Sequence, residues 1–180
     1  KSILMAVRIF LTGRPGSGKS TIVKRVVDKL REQGIKVGGI LTPEVRKGNA
    51  RVGFEVVDLQ TGEKGTLATT ERKTNVRFGK YFIDLDDFER IAIKALTTAT
   101  EECDVVVIDE IGKMEMFSKA FKERLNQILN SDKNVLAVVH RDLAKFYKNH
   151  GEVIWVEKKE MNNIVAYVIQ KLLLSLRVKQ

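Results

Sequence analysis

Gly13-Arg14-Pro15-Gly16-Ser17-Gly18-Lys19-Ser20-Thr21 lies between an apolar run at 7–11 and an amphipathic segment at 21–33. The nonapeptide fits the pattern G-x-x-x-x-G-K-[ST], in which a glycine-rich loop joins a strand to a helix and its backbone N–H groups surround phosphate oxygens. In such a loop Lys19 reaches the β- and γ-phosphates, and the Ser20 hydroxyl binds Mg²⁺. The alternative is a glycine-rich turn that only caps a helix, and the flanking patterns argue against it. The sequence therefore predicts a site for a nucleoside triphosphate.

The composition is that of one globular domain. A chain of 180 residues, 43% of them hydrophobic, has the length of one domain, which we place at 1–180. No apolar run approaches the roughly 18 residues of a membrane span, and no signal peptide is evident. Cys103 is the one cysteine, so no disulfide can form within the chain. We expect a cytoplasmic protein without a membrane partner, in which Cys103 is a packing residue.

The charge balance is basic. The chain has 32 Lys and Arg against 23 Asp and Glu, a net charge of +9, which suits a polyanionic partner such as nucleic acid. However, the basic residues are spread along the chain, without a block of five or six and without interleaved aromatic residues. A nucleic-acid partner is therefore possible but not favoured, and we expect a monomer. The charged fraction of 31% exceeds the usual ~25% and favours a heat-adapted protein.

Strand and helix patterns alternate along most of the chain, which is typical of an α/β sheet covered on both faces. The expected strands are 6–12, 36–43, 105–108, 135–139 and 153–156, and the expected helices are 18–32, 84–101, 117–130, 142–148 and 161–176. Residues 44–83 interrupt the alternation, because turn sequences separate runs rich in β-branched and aromatic residues. We interpret this segment as an antiparallel insertion of two hairpins, with strands near 38–46, 51–58 and 64–69 and a further strand near 77–83.

A second candidate element is the pair Asp109-Glu110, which ends the β-branched run 105–108. Ligands of open α/β sheets lie at the carboxyl ends of the strands, so this pair is expected at the same edge as the phosphate loop. Asp109 is expected to hold Mg²⁺, largely through water, as a Walker-B aspartate does. Glu110 would point the other way off the strand and would orient or deprotonate an attacking water. The alternative is an acidic pair that satisfies turn or helix-cap donors.

The presence of Glu110 also distinguishes hydrolases from kinases among phosphate-loop enzymes. A glutamate next to water favours hydrolysis, whereas a kinase must exclude water from the transferred phosphate. ATPases with this glutamate generally carry one extra strand between the loop strand and the acidic strand, and 135–139 is the candidate here. His140 and Arg141 end that strand, and Arg141 would supply positive charge to the transition state. The alternatives are a turn cap for His140 and a surface salt bridge for Arg141.

Four segments of the chain together resemble the thermophilic nucleoside-triphosphatase family, whose animal members are called cancer-related nucleoside-triphosphatases. They are Gly13–Thr21, Gly38–Arg46, Gly53–Val57 and Val107–Glu115, and the run Asp109-Glu110-Ile111-Gly112-Lys113-Met114-Glu115 is more specific than the phosphate loop. The resemblance implies a three-layer, recombinase-like P-loop fold with a mostly parallel sheet. It implies hydrolysis of ATP, GTP, CTP, UTP and TTP with little base discrimination, and weaker hydrolysis of diphosphates. It also implies two nucleotide-binding segments, the phosphate loop and Val105-Val106-Val107-Ile108-Asp109-Glu110-Ile111-Gly112.

Other side chains allow two interpretations each. Glu115 is either an alternative base or, as we favour, a cap for the following helix. Trp155 and Phe54 either stack on a base or, as we favour, pack in the core. The arginines of the insertion either contact phosphates or a partner or, as we favour, are only solvated; they are Arg46, Arg51, Arg72 and Arg77.

Three functions remain open at this point. We favour triphosphate hydrolysis over a kinase of a nucleotide or other small acceptor and over an RNA-associated triphosphate-binding module. The sequence presents no evident acceptor pocket, and the Asp-Glu doublet counts against a kinase. No Asn-Lys-x-Asp tetrapeptide is present, which counts against a guanine-specific switch.

Overall fold

Four α-helices and ten strands alternate in the computed structural model, which describes residues 6–179. Residues 1–5 and 180, which the expected domain includes, lie outside the described residues. The strands are β1 Arg8–Thr12, β2 Val37–Leu41, β3 Glu44–Lys47, β4 Ala50–Asp58, β5 Lys64–Thr69, β6 Val76–Phe78, β7 Tyr81–Ile83, β8 Val105–Ile111, β9 Asn134–Val139 and β10 Glu152–Trp155. The helices are α1 Lys19–Glu32, α2 Leu85–Glu102, α3 Lys119–Leu129 and α4 Met161–Lys179.

All the described strands belong to one mixed sheet. Its order is β10-β1-β9-β8-β2-β4-β5-β7-β6, with β3 paired to β4 at its side. The strands from β10 to β2 are parallel, and β4 joins β2 in antiparallel orientation. The expected position of 135–139 is confirmed, because β9 lies between β1 and β8. The two expected hairpins are also present, as β3–β4 and β4–β5, but the strand expected at 38–46 is divided at residues 42–43 into β2 and β3.

Alternation along the parallel strands divides the core between the two faces of the sheet. Ile9, Leu11, Val105 and Val107 pack with α1 and α4, whereas Phe10, Val106 and Ile108 pack with α2 and α3. Strands covered on both faces need apolar residues at every position, which explains the continuous β-branched run of β8. Cys103 is buried beneath α2, as expected of a packing residue, and burial raises the pKa of its thiol.

Three local predictions were wrong. Residues 77–83 form a small hairpin of β6 and β7, because Gly79 adopts φ 60° and reverses the chain. The helix expected from residue 117 begins at Lys119 after a 3₁₀ turn, since Ser118 caps it, and this leaves Phe117 43% exposed. The helix expected at 142–148 is a 3₁₀ turn at Ala144–Tyr147.

The second helix begins with a side-chain cap, close to the start expected for the helix at 84–101. The Asp84 carboxylate accepts a hydrogen bond from the Asp87 backbone N–H at 3.0 Å, and α2 begins at Leu85. None of the helices within residues 6–179 has the length and apolar character that a membrane span requires.

Candidate functional site

The phosphate loop connects β1 to α1 at the carboxyl edge of the parallel strands. Gly13, Gly16 and Gly18 have φ values of 150°, 76° and 97°, which side chains with a Cβ rarely adopt, so the curl of the loop depends on glycine. The Lys19 ammonium donates hydrogen bonds to the carbonyls of Gly13, at 2.7 Å, and Arg14, at 3.1 Å. The loop therefore holds its lysine folded over its own backbone, at the N-terminal end of α1, where anions are favoured.

The acidic pair reaches the same edge from β8, two strands away from β1. Burial raises the pKa of Asp109, and the nearby Ser20 hydroxyl and the Lys19 ammonium oppose that shift because both favour the carboxylate form. Burial, followed by the charge of Asp109, raises the pKa of Glu110. Burial lowers the pKa of Lys19, and the two carboxylates oppose that shift. Two carboxylates and one ammonium thus interact across a partly buried space.

The two carboxylates do not point to opposite sides of the strand, contrary to the expectation for Glu110. The pairing of β8 with β9 shifts register between Asp109 and Ile111, so the alternation of side chains is interrupted at Glu110. Asp109 and Glu110 therefore line the same cavity.

A threonine that the sequence analysis missed holds the acidic strand end in place. The Thr42 hydroxyl accepts a hydrogen bond from the Glu110 N–H at 3.0 Å and lies 3.1 Å from a carboxylate oxygen of Glu115. The Thr42 N–H donates to the Asp109 carbonyl at 2.6 Å. Thr42 directly follows β2, the neighbour of β8, so the rule that ligands lie at carboxyl strand ends provided a signal for it.

Glu115 is not the cap of the following helix, since Ser118 has that role. Its side chain is buried, with 3% exposure, contacts Thr42 and lines the same cavity as Glu110. Burial, followed by the charge of Glu110, raises its pKa from 4.5 to about 8. At neutral pH Glu115 is therefore mostly protonated, and its carboxyl oxygen accepts the hydrogen bond that the Thr42 hydroxyl donates.

The raised pKa of Glu115 predicts that the free energy of unfolding depends on pH. The folded chain keeps a proton that the unfolded chain loses above about pH 4.5, so the free energy of unfolding falls as pH rises towards about 8. The slope is on the order of 1.4 kcal/mol per pH unit. In urea unfolding the Glu115→Gln variant should become progressively more stable than the wild type across this range. A stability difference independent of pH would contradict the assignment.

Lys19, Asp109 and Glu110 line one cavity, which we call the site cavity. Its volume is about 640 Å³. One side consists of the phosphate loop and the acidic strand end. The other, the insertion wall, consists of Arg51, Phe54, Leu67 and Phe78. The Arg51 guanidinium lies 5.2 Å from the Phe54 ring centre and donates to the Tyr81 hydroxyl at 2.8 Å. The interpretation of Arg51 as a merely solvated residue was therefore wrong.

The other insertion arginines are exposed at the surface. Arg46 pairs with Glu44 at 2.8 Å, Arg72 pairs with Asp84 at 2.7 Å, and Arg77 lies over the Phe82 ring. Phe54 belongs to the insertion wall, and Trp155 is 50% exposed at the end of β10, so core packing of Trp155 was also a wrong expectation.

The end of β9 brings His140 and Arg141 to the site cavity. His140 Nδ1 accepts a hydrogen bond from the Asp142 N–H at 3.0 Å, which is the turn-capping alternative, and burial lowers the pKa of its imidazole. Asp142 pairs with Lys113 at 2.8 Å. Arg141 lies close enough to Lys19 for its charge to lower the lysine pKa. Positive charge from β9 thus adds to that of the loop.

The structure distributes the expected site residues over four places. The site cavity is lined by Gly13, Pro15, Gly16, Lys19, Ser20, Asp109, Glu110, Gly112 and Arg141. Arg14 and Ser17 line a separate cavity beside β10. Val105–Ile108 and Ile111 are buried within the sheet, where they position the acidic pair, and Gly18 and Thr21 lie in the loop and the first turn of α1.

The oxygen atoms of Ser20 and Asp109 form the donor set for a divalent cation. Mg²⁺ prefers oxygen ligands and commonly takes one or two from the protein, with water and phosphate supplying the rest. The hydroxyl and the carboxylate line the same cavity, and the hydroxyl is close enough to favour the charged form of Asp109. A cation beside Asp109 would offset the burial that raises its pKa, so these residues fit Mg²⁺.

Comparison with known proteins extends over the whole architecture. The sequence model of a family described as NTPase matches residues 8–169. Nucleoside-triphosphatase THEP1 of Pyrococcus abyssi is 41% identical over 166 residues, which is 92% of this chain and 92% of that protein. The crystal structure of THEP1 from the hyperthermophile Aquifex aeolicus gives a TM-score of 0.80 at 31% identity, covering 92% of this chain and 99% of that one. A human cancer-related nucleoside triphosphatase gives a TM-score of 0.76 at 33% identity, covering 92% and 96%.

Proposed function

The chain belongs to the THEP1 family of nucleoside-triphosphatases and is a nucleoside-triphosphatase, and from this premise we propose a Mg²⁺-dependent hydrolase of low base specificity. Its substrates would be ATP, GTP, CTP, UTP and TTP, each converted to the diphosphate and phosphate, with diphosphates hydrolysed more weakly. The observation that carries the proposal is the convergence of Lys19, Asp109 and Glu110 on one cavity. We also infer the recombinase-like variant of the P-loop fold, because β9 separates β1 from β8.

In the proposed reaction Glu110 takes a proton from water as the water oxygen forms a bond to the γ-phosphorus. The bond between that phosphorus and the β–γ bridging oxygen breaks, and the charge that develops on the leaving diphosphate is neutralised by Lys19. The raised pKa of Glu110 suits a base at neutral pH, since base strength grows with pKa while the carboxylate form persists. Arg141 adds positive charge at the γ-phosphate, and Thr42 fixes Glu110 through its backbone N–H. Mg²⁺ held by Ser20 and Asp109 would neutralise β- and γ-phosphate oxygens when bound.

Phosphate release tests this function directly. With purified protein, we expect comparable kcat/KM for ATP, GTP, CTP and UTP, slower release from ADP, and no release when EDTA removes divalent cations. Strong preference for one base, or turnover unaffected by EDTA, would contradict the proposal.

A kinase remains a second candidate, supported by the insertion wall of the site cavity. A volume of about 640 Å³ exceeds what a water molecule needs beside the triphosphate. The wall also supplies aromatic and cationic groups that an acceptor would contact. Transfer of labelled γ-phosphate to added nucleosides or nucleoside monophosphates, at the expense of free phosphate, would favour this candidate. We propose that the protein works as a cytoplasmic monomer without a membrane partner, and a nucleic-acid partner is possible but not favoured.

A further inference from the structure

The phosphate loop has a different neighbour on each side, and this gives the bound triphosphate a direction. β1 pairs with β9 on one side and with β10 on the other. The groups proposed to act on the γ-phosphate lie on the β9 side, Arg141 after β9 and Glu110 at the end of β8. This step rests on the proposed function. If the γ-phosphate points towards β8, the nucleoside at the other end of the triphosphate leaves the loop on the side of β10.

A second cavity lies on that side. It has a volume of about 310 Å³ and is lined by Arg14 and Ser17 of the loop and by Trp155, Val156, Glu157 and Lys158. The end of β10 and the loop are closely joined. The Val156 N–H donates to the Thr12 carbonyl at 2.8 Å, and a Cβ on Gly13 would lie 2.9 Å from the Val156 carbonyl oxygen. The loop and the strand end therefore form one continuous surface. We call the cavity that this surface lines the β10 cavity.

Two features of the β10 cavity are unexplained by the fold. Trp155 is the one tryptophan of the chain, and it is 50% exposed although aromatic side chains stabilise proteins mostly when buried. The Ser17 hydroxyl is buried and has no hydrogen-bond partner within the described residues. A large exposed ring beside an unsatisfied polar atom is typical of a surface that a ligand completes.

We propose that the β10 cavity is the nucleobase subsite and that the Trp155 ring stacks on the base. Every base has a flat π-face, so stacking is tolerant of base identity. A stacking platform is therefore consistent with low base specificity. Arg14 and Lys158, which line the same cavity, add positive charge next to the α-phosphate end of the nucleotide.

Binding measurements with and without a base test this subsite independently of hydrolysis. We compare the β,γ-imido analogue of ATP with inorganic tripolyphosphate, which has the phosphates and lacks the base. The analogue should quench the fluorescence of Trp155, and tripolyphosphate should leave it nearly unchanged. In Trp155→Ala the Kd of the analogue should rise about tenfold, with the Kd of tripolyphosphate unchanged, and Trp155→Phe should restore most of the affinity. The matched control is Phe146→Ala, which removes a ring that is 63% exposed and lines neither cavity.

Other outcomes of these measurements would overturn the proposed nucleobase subsite. Equal weakening of both ligands in Trp155→Ala would assign the residue a structural role and overturn the subsite. Unchanged affinity of the analogue would overturn it as well. If Phe54→Ala instead weakens the analogue alone, the base lies against the insertion wall. Because these are binding data, a catalytically inactive protein that still shows the selective effect would retain the subsite and refute only the proposed hydrolysis.

Discussion

Replacing Lys19 with alanine should lower kcat for triphosphate hydrolysis by at least about 10²-fold and weaken triphosphate binding. The ammonium lies in the loop against two carbonyls, and it interacts with both Asp109 and Glu110. A bound triphosphate offers it oxygens of much greater negative charge, and the transition state concentrates that charge further on the bridging oxygen. Alanine leaves the glycine-rich backbone in place and removes only this charge. Steady-state phosphate release and calorimetric titration of Mg·ATP measure the two effects.

Lys24→Ala is the matched control for this experiment. Lys24 lies further along the same helix, exposed and paired with Asp28 at 3.1 Å, so its loss changes the net charge equally. An exposed pair of this kind stabilises a helix only slightly. The control should keep wild-type turnover and affinity. Near-normal kcat in Lys19→Ala, or equal losses in both variants, would mean that the phosphate loop does not act as proposed.

The parallel half of the fold was predictable because the hydrophobic pattern of its helices and strands is strongly periodic and capping or turn residues flank them. The run 105–108 has no polar residue, which only a strand covered on both faces tolerates, and Asp84 marked the start of α2. The place of β9 followed from the chemistry of the Asp-Glu doublet. The predicted strand at 77–83 was wrong because Gly79 reverses the chain. The predicted helix start at residue 117 was wrong because Ser118 caps the helix instead.

The candidate site was predictable as far as local sequence carries its chemistry. Lys19, Ser20, Asp109 and Glu110 belong to two short motifs, and the topology that joins them follows from the strand order. The partners of these groups come from distant segments. Thr42 holds Glu110 across 68 residues, and the burial of Glu115 depends on the packing around it. Exposure is likewise a tertiary property, so the half-exposed ring of Trp155 could not be inferred from a strand pattern that suits burial equally well.

Glu110→Gln should lower kcat by about 10²-fold or more, the usual scale for a positioned base. The amide keeps the shape of the side chain and can hydrogen-bond, but it cannot accept the proton of the attacking water. Ser20, Asp109 and Lys19 are untouched, so the groups proposed to hold Mg²⁺ and the phosphates remain. A phosphotransferase would respond differently to Glu110→Gln. Its phosphate transfer to the acceptor would be retained, and only its slow side reaction, hydrolysis by water, would change.

Glu115→Gln is the companion variant, because Glu115 is the carboxyl group close to Glu110 that is not assigned to Mg²⁺. It is buried beside Thr42 and mostly protonated at neutral pH, so it should contribute little as a base although it lines the site cavity. We expect its kcat to stay within about threefold of the wild type, well below the loss expected for a base. A large loss of kcat in Glu115→Gln with normal turnover in Glu110→Gln would transfer the role of base to Glu115.

The most direct test of the mechanism is the Kd of Mg·ATP measured alongside kcat in Glu110→Gln. If Glu110 acts on the attacking water, the Kd stays within about twofold of the wild-type value while kcat falls by about 10²-fold or more. If affinity and turnover fall together, Glu110 is a ligand of the metal or the phosphates. An unchanged kcat would contradict the account at its central residue.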